Sequence, residues 1–252
     1  MDSSPLISVE NLTMAFEQEV IMKTISFEVY RGDIFVILGG SGSGKSTLLK
    51  HMIGLYSPAS GRIIIQGRDL TQAREWERML IMRSIGISYQ SGALFGSMTL
   101  LENVRLPMEE LTSLPARAMD MISRIKLFQV GLEGYENHLP SELSGGMQKR
   151  AAIARAMALD PEILFLDEPS AGLDPITSLE LDELILSLSR SLKITFVIVT
   201  HELSSIFHIG KRMIILDKNR KTIADQGAPE DLRQNSPDPW VRSFLNRTLS
   251  PG

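Results

Sequence analysis

The chain has 252 residues, of which 43 % are apolar and 22 % charged, so it can build a sizeable core and is not a disordered protein. Its net charge of −4 argues against non-specific binding to nucleic acid, which needs a basic face, and we expect no nucleic-acid partner. The absence of cysteine excludes disulfides, thiolate metal sites and cysteine nucleophiles.

Short β-branched runs alternate with helical patterns, which predicts an α/β fold with a largely parallel sheet. From Leu6 to Val29 the pattern indicates strands joined by polar turns. Ile34–Leu38 is predicted to be a buried strand that runs through a Gly/Ser loop into a helix over Lys45–Leu55. Further strands are expected at Ile63–Ile65 and Ile85–Tyr89.

The middle of the chain turns helical between about Thr99 and Leu132, where Met119, Ile122 and Ile125 recur every third residue. This stretch is expected to be a helical insertion between two halves of the sheet. The later elements, in chain order, are predicted to be the helix Ser144–Leu159, the strand Ile163–Leu166, the helix Ile176–Leu192, the strands Ile194–Val199 and Met213–Leu216, and short terminal helices beyond Pro229.

A phosphate-binding loop follows the first buried strand. It consists of Gly39, Gly40, Ser41, Gly42, Ser43, Gly44, Lys45 and Ser46, with Thr47 next in the helix. Glycines let the backbone N–H groups wrap around phosphate oxygens, and the helix N-terminus adds positive potential. Lys45 is expected to contact the β- and γ-phosphates, and the Ser46 hydroxyl to bind Mg²⁺. The alternative, a plain Gly/Ser turn before a lysine, is disfavoured by the strand–loop–helix context.

Two carboxylates end the apolar strand that begins at Ile163. Since strand ends at the carboxyl edge of a parallel sheet lie beside a neighbouring phosphate loop, Asp167 is predicted to hold Mg²⁺. Glu168 is predicted to orient and deprotonate the attacking water. The alternative is an ordinary strand end before Pro169. The presence of a phosphate loop in the same chain disfavours it.

A second candidate anion site lies at Ser144, Gly145 and Gly146, where a helix N-cap is followed by glycines whose N–H groups are exposed. One nucleotide does not need two such sites in one chain. Two copies arranged head to tail would use both, with Ser144 of one copy closing on the γ-phosphate held by the other. A simple capped helix start is the alternative.

With these motifs in this order, the chain resembles the ATP-binding-cassette (ABC) family over nearly its whole length, and Leu143–Gln148 resembles the family's signature motif. The resemblance implies that Gln90 senses Mg²⁺ and the membrane subunit, and that His201 contacts the γ-phosphate. It also implies that Phe16 stacks on adenine and that Asp174 belongs to the loop linking the two sites of a dimer. ATP and Mg²⁺ are the implied substrate and cofactor, and ATP hydrolysis the implied reaction.

The same resemblance implies a P-loop NTPase (RecA-like) core with an antiparallel β subdomain and an inserted α-helical subdomain. The expected segments are residues 1–90 for the first part of the core, 91–142 for the helical subdomain continuing into the signature helix 143–159, 160–228 for the second part of the core, and 229–252 for a C-terminal tail that is a candidate partner-binding segment.

Four local strings resemble one subfamily, the ATPases of Mla-type lipid transporters: Gln90–Phe95, Met147–Ala152, His201–Phe207 and Asp238–Arg242; Tyr89, where phenylalanine is expected, is a mild departure. This resemblance implies phospholipid transport between inner and outer membranes, which maintains outer-membrane lipid asymmetry. The implied partners are integral-membrane permease subunits, an MCE-domain lipid-binding protein and a small STAS-domain protein.

The Met1–Glu10 segment does not resemble a secretion signal and no apolar run approaches the roughly 20 residues of a membrane span, so a cytoplasmic setting is expected. The resemblance to transporter ATPases then implies the cytoplasmic face of the inner membrane. Leu94 and Phe95 either dock the permease or anchor the helical insertion. The alternatives for function are an ATPase of another ABC transporter (for amino acids, metal chelates or lipoprotein release) and a non-transport ABC ATPase.

Overall fold

The computed structural model describes residues 4–16 and 19–248. In chain order its elements are β1 (Ile7–Phe16), β2 (Glu19–Val29), β3 (Ile34–Gly39), α1 (Lys45–Met52), β4 (Ser60–Ile65), β5 (Arg68–Asp69), α2 (Glu75–Ser84), β6 (Ile85–Ser88), α3 (Leu100–Leu111), α4 (Ala116–Gln129), a 3-10 turn (Pro140–Glu142), α5 (Gly145–Ala156), β7 (Ile163–Asp167), α6 (Pro175–Leu192), β8 (Thr195–Val199), α7 (Leu203–Ile209), β9 (Arg212–Asp217), β10 (Thr222–Gly227), α8 (Pro229–Asn235) and α9 (Pro239–Leu245).

The chain divides into two compact units: the first runs to Ile81 and resumes at Val197, and the second covers Met82–Phe196. The first unit contains an antiparallel sheet in the order β2-β1-β4-β5. Along the second half of β2 buried and exposed residues alternate, as in a strand with one face on a core. This is the antiparallel sheet that the resemblance to the ABC family implies.

The first unit also contains strands in the order β10-β9-β3-β8. β3 and β9 are parallel, with Val36 opposite Met213, and every residue of β3 is buried. A wholly buried apolar strand is typical of a parallel sheet covered on both faces. Helices α7, α8 and α9 contribute Leu203, Leu232 and Val241 to the core on one side of these strands.

In the second unit β6 and β7 are parallel, with Ser88 opposite Leu166, so both strands end at the same edge. Helices α3, α4 and α5 pack against one another. α3 begins at a capping box, in which the Thr99 Oγ1 accepts from the Glu102 N–H at 3.3 Å and the Glu102 carboxylate accepts from the Thr99 N–H at 2.7 Å. α3 and α4 lie in the segment predicted to be a helical insertion, and α5 corresponds to the helix predicted at Ser144–Leu159.

The α/β class is confirmed, and most predicted elements are present with ends shifted by a few residues. The predicted helix end at Leu55 is wrong: α1 ends at Met52, because Gly54 adopts a left-handed conformation (φ 73°) that stops the helix. The segment from Thr99 to Leu132, predicted to be helical, contains the two helices α3 and α4, with a break at residues 112–115. α7 and β10 lie where the sequence analysis predicts no element.

Residues 1–3, 17–18 and 249–252, which fall within the first and last predicted segments, lie outside the described residues. The segment limits themselves remain predictions. Among the described residues, no helix combines the length and apolar character that a membrane crossing requires.

Gly86 of β6 packs directly against the end of α5. A Cβ added there would overlap the Ala156 carbonyl oxygen and crowd the Leu164 side chain, and backbone atoms cannot move aside cheaply. We therefore expect Gly86→Ala to lower the free energy of unfolding by about 1–3 kcal/mol, as overpacking does. Denaturant titration measures this, with Gly96→Ala as the control because a Cβ at Gly96 meets nothing within 4 Å. Equal midpoints for the two variants would contradict the packing argument.

Candidate functional site

The loop from Gly39 to Gly44 connects β3 to α1. Gly44 precedes the first helical residue with φ 88°, and Gly42 has φ 72°, values that L side chains rarely adopt. The Lys45 Nζ lies back across the loop and donates to the carbonyl oxygens of Gly39 at 2.9 Å and Gly40 at 3.2 Å. The loop thus has the backbone shape and the cation that a phosphate-binding loop needs.

Two glycines of this loop have no room for a side chain. A Cβ at Gly39 would overlap the Ser43 Oγ and lie 2.9 Å from the Leu216 carbonyl oxygen. A Cβ at Gly44 would lie 2.9 Å from the Ile21 Cγ2, with Met14 Cε 3.7 Å away. The loop is therefore packed between β9 and the β1–β2 pair, and the glycines are required by space as well as by conformation.

The Ser43 side chain is 1 % exposed, and its Oγ has no hydrogen-bond partner within residues 4–16 and 19–248. Buried polar groups are normally hydrogen-bonded, so a buried hydroxyl in this position is suited to bind a polar ligand. Ser46 and Thr47 follow in the first turn of α1, where the positive end of the helix dipole favours a bound anion. These features fit a bound polyphosphate.

Phe16 is the last residue of β1, two residues beyond the Met14 that lies near Gly44. Its side chain is 48 % exposed, and its ring meets the Tyr56 ring edge-on, with 5.1 Å between centroids. An exposed aromatic ring braced on one edge can accept a flat ring against its face.

His201 comes directly after β8 and Thr200, in the first unit. The Thr200 N–H donates to the Ile37 carbonyl oxygen of β3 at 3.3 Å, so His201 lies near the end of the strand that leads into the phosphate loop. The imidazole is exposed, with Nε2 3.7 Å from a Glu202 carboxylate oxygen.

In the second unit Asp167 ends β7 and Glu168 follows with φ 47°, and both are less than a tenth exposed. A glutamate in the left-handed region is strained, and such strain concentrates at functional sites. The Glu168 carbonyl oxygen accepts from the Ala171 N–H at 3.2 Å.

Gln90 lies at the same edge as these carboxylates, because β6 and β7 are paired up to Ser88 and Leu166. Burial raises the pKa of the Tyr89 hydroxyl, and the Asp167 charge raises it further. Parallel strands end at a common edge, so the structure brings Gln90 and the loop Gln90–Phe95 that it begins, the glutamine loop, close to the two carboxylates.

Ser144 caps α5, and its Oγ accepts from the Met147 N–H at 3.3 Å. Ser144 and Gly145 are exposed, whereas Gly146 is buried, and a Cβ there would lie 2.5 Å from the Thr177 Cγ2 of α6. The N-cap prediction is confirmed, and the exposed start of α5 leaves backbone donors accessible.

Asp174 caps α6, accepting at one oxygen from the N–H groups of Ile176 (3.0 Å) and Thr177 (3.1 Å) and at the other from the Thr177 hydroxyl (2.5 Å). The Thr177 hydroxyl hydrogen bond, more than the backbone ones, lowers the pKa of this carboxyl. Since Thr177 also meets Gly146, the starts of α5 and α6 adjoin each other.

Two cations of α5 were missed by sequence reasoning: Lys149, which donates to the Gln90 carbonyl oxygen, and Arg155, which donates to the carbonyl oxygens of Gly92 (2.8 Å) and Ala93 (2.6 Å). Their partners lie about 60 residues away in sequence, so no local pattern indicates them. Their spacing on one helix, with the small Ala152 between them, is the only available signal.

Comparison with known proteins identifies the relatives of this chain. A family model described as "ABC transporter" matches residues 22–171. The "Intermembrane phospholipid transport system ATP-binding protein MlaF" of Haemophilus influenzae is 40 % identical over 95 % of this chain and 90 % of the relative. The Escherichia coli K12 protein of the same name is 38 % identical over 96 % and 88 %. The "Probable ribonucleotide transport ATP-binding protein mkl" of Mycobacterium leprae is 39 % identical over 97 % of this chain and 70 % of the relative.

Solved structures agree with this result. The protein cbiO1 of Clostridium perfringens, described as part of an ABC transporter complex, has a TM-score of 0.84 and 29 % identity, covering 97 % of each chain. A dimeric bacterial ABC transporter cassette has a TM-score of 0.79 and 30 % identity over 88 % of this chain and 98 % of its own. The same cassette in a dimeric post-hydrolysis state with ADP and phosphate has a TM-score of 0.78.

Proposed function

Since the chain belongs to the ABC transporter family of ATPases, we propose that it hydrolyses ATP to drive phospholipids between the inner and outer membranes, and so maintains the lipid asymmetry of the outer membrane. The proposal that phospholipid is the substrate rests on one observation. The similarity to the intermembrane phospholipid transport ATPases extends over 88–90 % of those proteins. The match covers the nucleotide-binding motifs and also the segments between and after them.

Ribonucleotide transport is the second candidate, because the mycobacterial relative named for it has nearly the same identity, 39 %. This chain spans 70 % of that relative. The resemblance of Gln90–Phe95, Met147–Ala152, His201–Phe207 and Asp238–Arg242 to the phospholipid transport ATPases favours phospholipid as the substrate.

ATP binding begins at the phosphate loop. The N–H groups of Gly40–Ser46 surround the β- and γ-phosphates, and the buried Ser43 hydroxyl supplies a further donor. Lys45, which holds the carbonyl oxygens of Gly39 and Gly40 in this structure, turns its ammonium group to the phosphates. Phe16 supports the adenine ring, and Thr47 completes the first turn of α1.

Mg²⁺, when bound, neutralises charge on the β- and γ-phosphates. The Ser46 hydroxyl, the Gln90 side-chain amide and the Asp167 carboxylate are hard oxygen donors of the kind that Mg²⁺ prefers. Each of the three is a proposed Mg²⁺ ligand.

Glu168 orients the attacking water and accepts its proton. The strained backbone of Glu168 supports this role, since strain of this kind persists where the position of a side chain matters for function. His201 contacts the γ-phosphate from the exposed segment after β8, where its imidazole is accessible.

A second copy of the chain completes each site. Ser144, Gly145 and Gly146 at the exposed start of α5 present backbone N–H groups and a hydroxyl to the γ-phosphate held by the partner. Asp174, which adjoins this helix start through Thr177, belongs to the segment that links the two sites. ATP-dependent closure of such a dimer and reopening after hydrolysis supply the two states that a transporter needs.

The chain acts at the cytoplasmic face of the inner membrane, bound to integral-membrane permease subunits. Phe95, 51 % exposed at a loop whose backbone is held by the buried Asn103, is the proposed permease contact. An exposed aromatic on a fixed loop is typical of a binding surface. An MCE-domain lipid-binding protein and a small STAS-domain protein complete the proposed complex.

Reconstitution tests the substrate. The complex extracted from membranes with its partners is placed in phospholipid vesicles, and the transfer of labelled phospholipid and of labelled ribonucleotide is measured with ATP and with a non-hydrolysable analogue. We expect phospholipid transfer that requires ATP hydrolysis and no ribonucleotide transport. ATP-dependent ribonucleotide uptake without phospholipid transfer would replace the proposed substrate.

A further inference from the structure

One face of α5 is occupied by the glutamine loop. Lys149, Ala152 and Arg155 recur every third residue, so they lie along the same side of the helix. A Cβ added to Gly92 would lie 3.4 Å from the Ala152 Cβ, which places the loop backbone in close contact with this face. The small side chain of Ala152 leaves room for the loop between the two cations.

The two cations bind loop carbonyl groups on either side of this contact. Arg155 donates to the carbonyl oxygens of Gly92 and Ala93 at 2.8 and 2.6 Å. Lys149 donates to the carbonyl oxygen of Gln90. Hydrogen bonds from charged donors are stronger than neutral ones, so the loop is firmly attached to α5.

Lys149 also reaches the acidic end of β7, where its Nζ lies 3.5 Å from the Glu168 carbonyl oxygen. Burial lowers the pKa of the half-buried ammonium, whereas the charges of Glu168 and Asp167 act in the opposite direction. The ammonium therefore lies between the glutamine loop and the carboxylates and interacts with both.

The partners of these cations include two strained residues. Ala93 and Glu168 both have φ 47°, in the left-handed region that non-glycine residues rarely occupy. Such a conformation persists only where the surroundings hold it. The carbonyl oxygen of Ala93 is held by Arg155, and that of Glu168 faces Lys149.

We propose that Lys149 is a positioning residue for ATP hydrolysis: it ties the main chains of Gln90 and Glu168 to α5 and so fixes the direction in which the Glu168 carboxylate points. The inference rests on the proposed roles of Glu168 as base and of Gln90 near the metal. Lys149 itself does not touch the reacting atoms. Its effect is on the rate of the chemical step and not on the capture of ATP by the phosphate loop.

Three variants test this role in the complex extracted from membranes. Lys149→Met keeps the length of the side chain but removes its donors, Lys149→Gln keeps a neutral donor, and Lys149→Arg keeps a charged donor. Lys193→Met is the control, because Lys193 is an exposed lysine at the end of α6. The measured quantities are kcat and KM for ATP hydrolysis, the ATP affinity in EDTA, and the melting temperature.

We expect Lys149→Met to lower kcat about 10- to 100-fold, the effect of losing a hydrogen bond from a charged donor. KM and ATP affinity should stay within a few-fold of wild type, Lys149→Gln should be intermediate, and Lys149→Arg should recover most of kcat. Lys193→Met should match wild type.

Two results would overturn the proposal: an unchanged kcat in Lys149→Met, or equal losses in Lys149→Met and Lys149→Arg together with a lowered melting temperature, which indicates a purely structural role. If the wild-type complex hydrolyses no ATP, the proposed function fails as well. An active wild type with an unaffected Lys149→Met variant refutes the positioning role alone.

Discussion

Glu168→Gln is expected to lower kcat for ATP hydrolysis by about 100-fold or more, because general-base catalysis contributes roughly 10²–10⁴-fold and an amide cannot accept the proton of water. The substitution keeps the size of a side chain that is 8 % exposed, so we expect the fold to survive. ATP affinity should stay within a few-fold of wild type. With hydrolysis blocked, the variant should accumulate as an ATP-bound dimer.

Hydrolysis rates, equilibrium ATP binding and size-exclusion chromatography with ATP check these three expectations. Glu133→Gln is a matched control, since Glu133 is an exposed carboxylate in a loop of the same unit. An active Glu168→Gln variant would remove Glu168 from the role of base. Loss of both ATP binding and hydrolysis would indicate that Glu168 is needed for the fold of the chain around the end of β7.

Lys45→Ala is expected to weaken ATP binding itself by about 10- to 100-fold, the effect of losing charge-assisted hydrogen bonds worth roughly 1.5–3 kcal/mol. In this structure the same ammonium group holds the carbonyl oxygens of Gly39 and Gly40, so the loop should also lose order. Hydrolysis at low ATP concentration should then fall at least as far as the affinity does.

Equilibrium titration with ATP measures the affinity, with Lys23→Ala as the control because Lys23 is exposed on β2. Normal affinity in Lys45→Ala would contradict the phosphate-loop assignment. Glu168→Gln and Lys45→Ala thus separate the two steps: the first should lose turnover but retain ATP, and the second should lose ATP.

The sequence predicts well those features that depend on neighbours along the chain. The strand before Gly39, the helix that begins at Lys45 and the cap at Ser144 all follow from local patterns, and the structure has each of them. The position of Gln90 beside Asp167 and Glu168 was not predicted from the sequence, although one general rule explains it: parallel strands end at a common edge.

Features that depend on distant partners were not predictable. Lys149 and Arg155 bind carbonyl groups 59 to 63 residues away, and no spacing in the sequence indicates a main-chain acceptor. The sequence also gives no sign of the strained backbone of Glu168, because the surrounding residues are those of an ordinary strand end. The end of α1 was predicted too late because Gly54 can either continue a helix or stop it, and its left-handed conformation decides.

Phospholipid transport is tested most directly by purifying the Glu168→Gln protein from native membranes in the presence of ATP and identifying the accompanying proteins and lipids by mass spectrometry. We expect an integral-membrane permease, an MCE-domain protein and bound phospholipid in the same complex. A solute-binding protein with a different permease, or recovery with ribosomes, would contradict phospholipid transport.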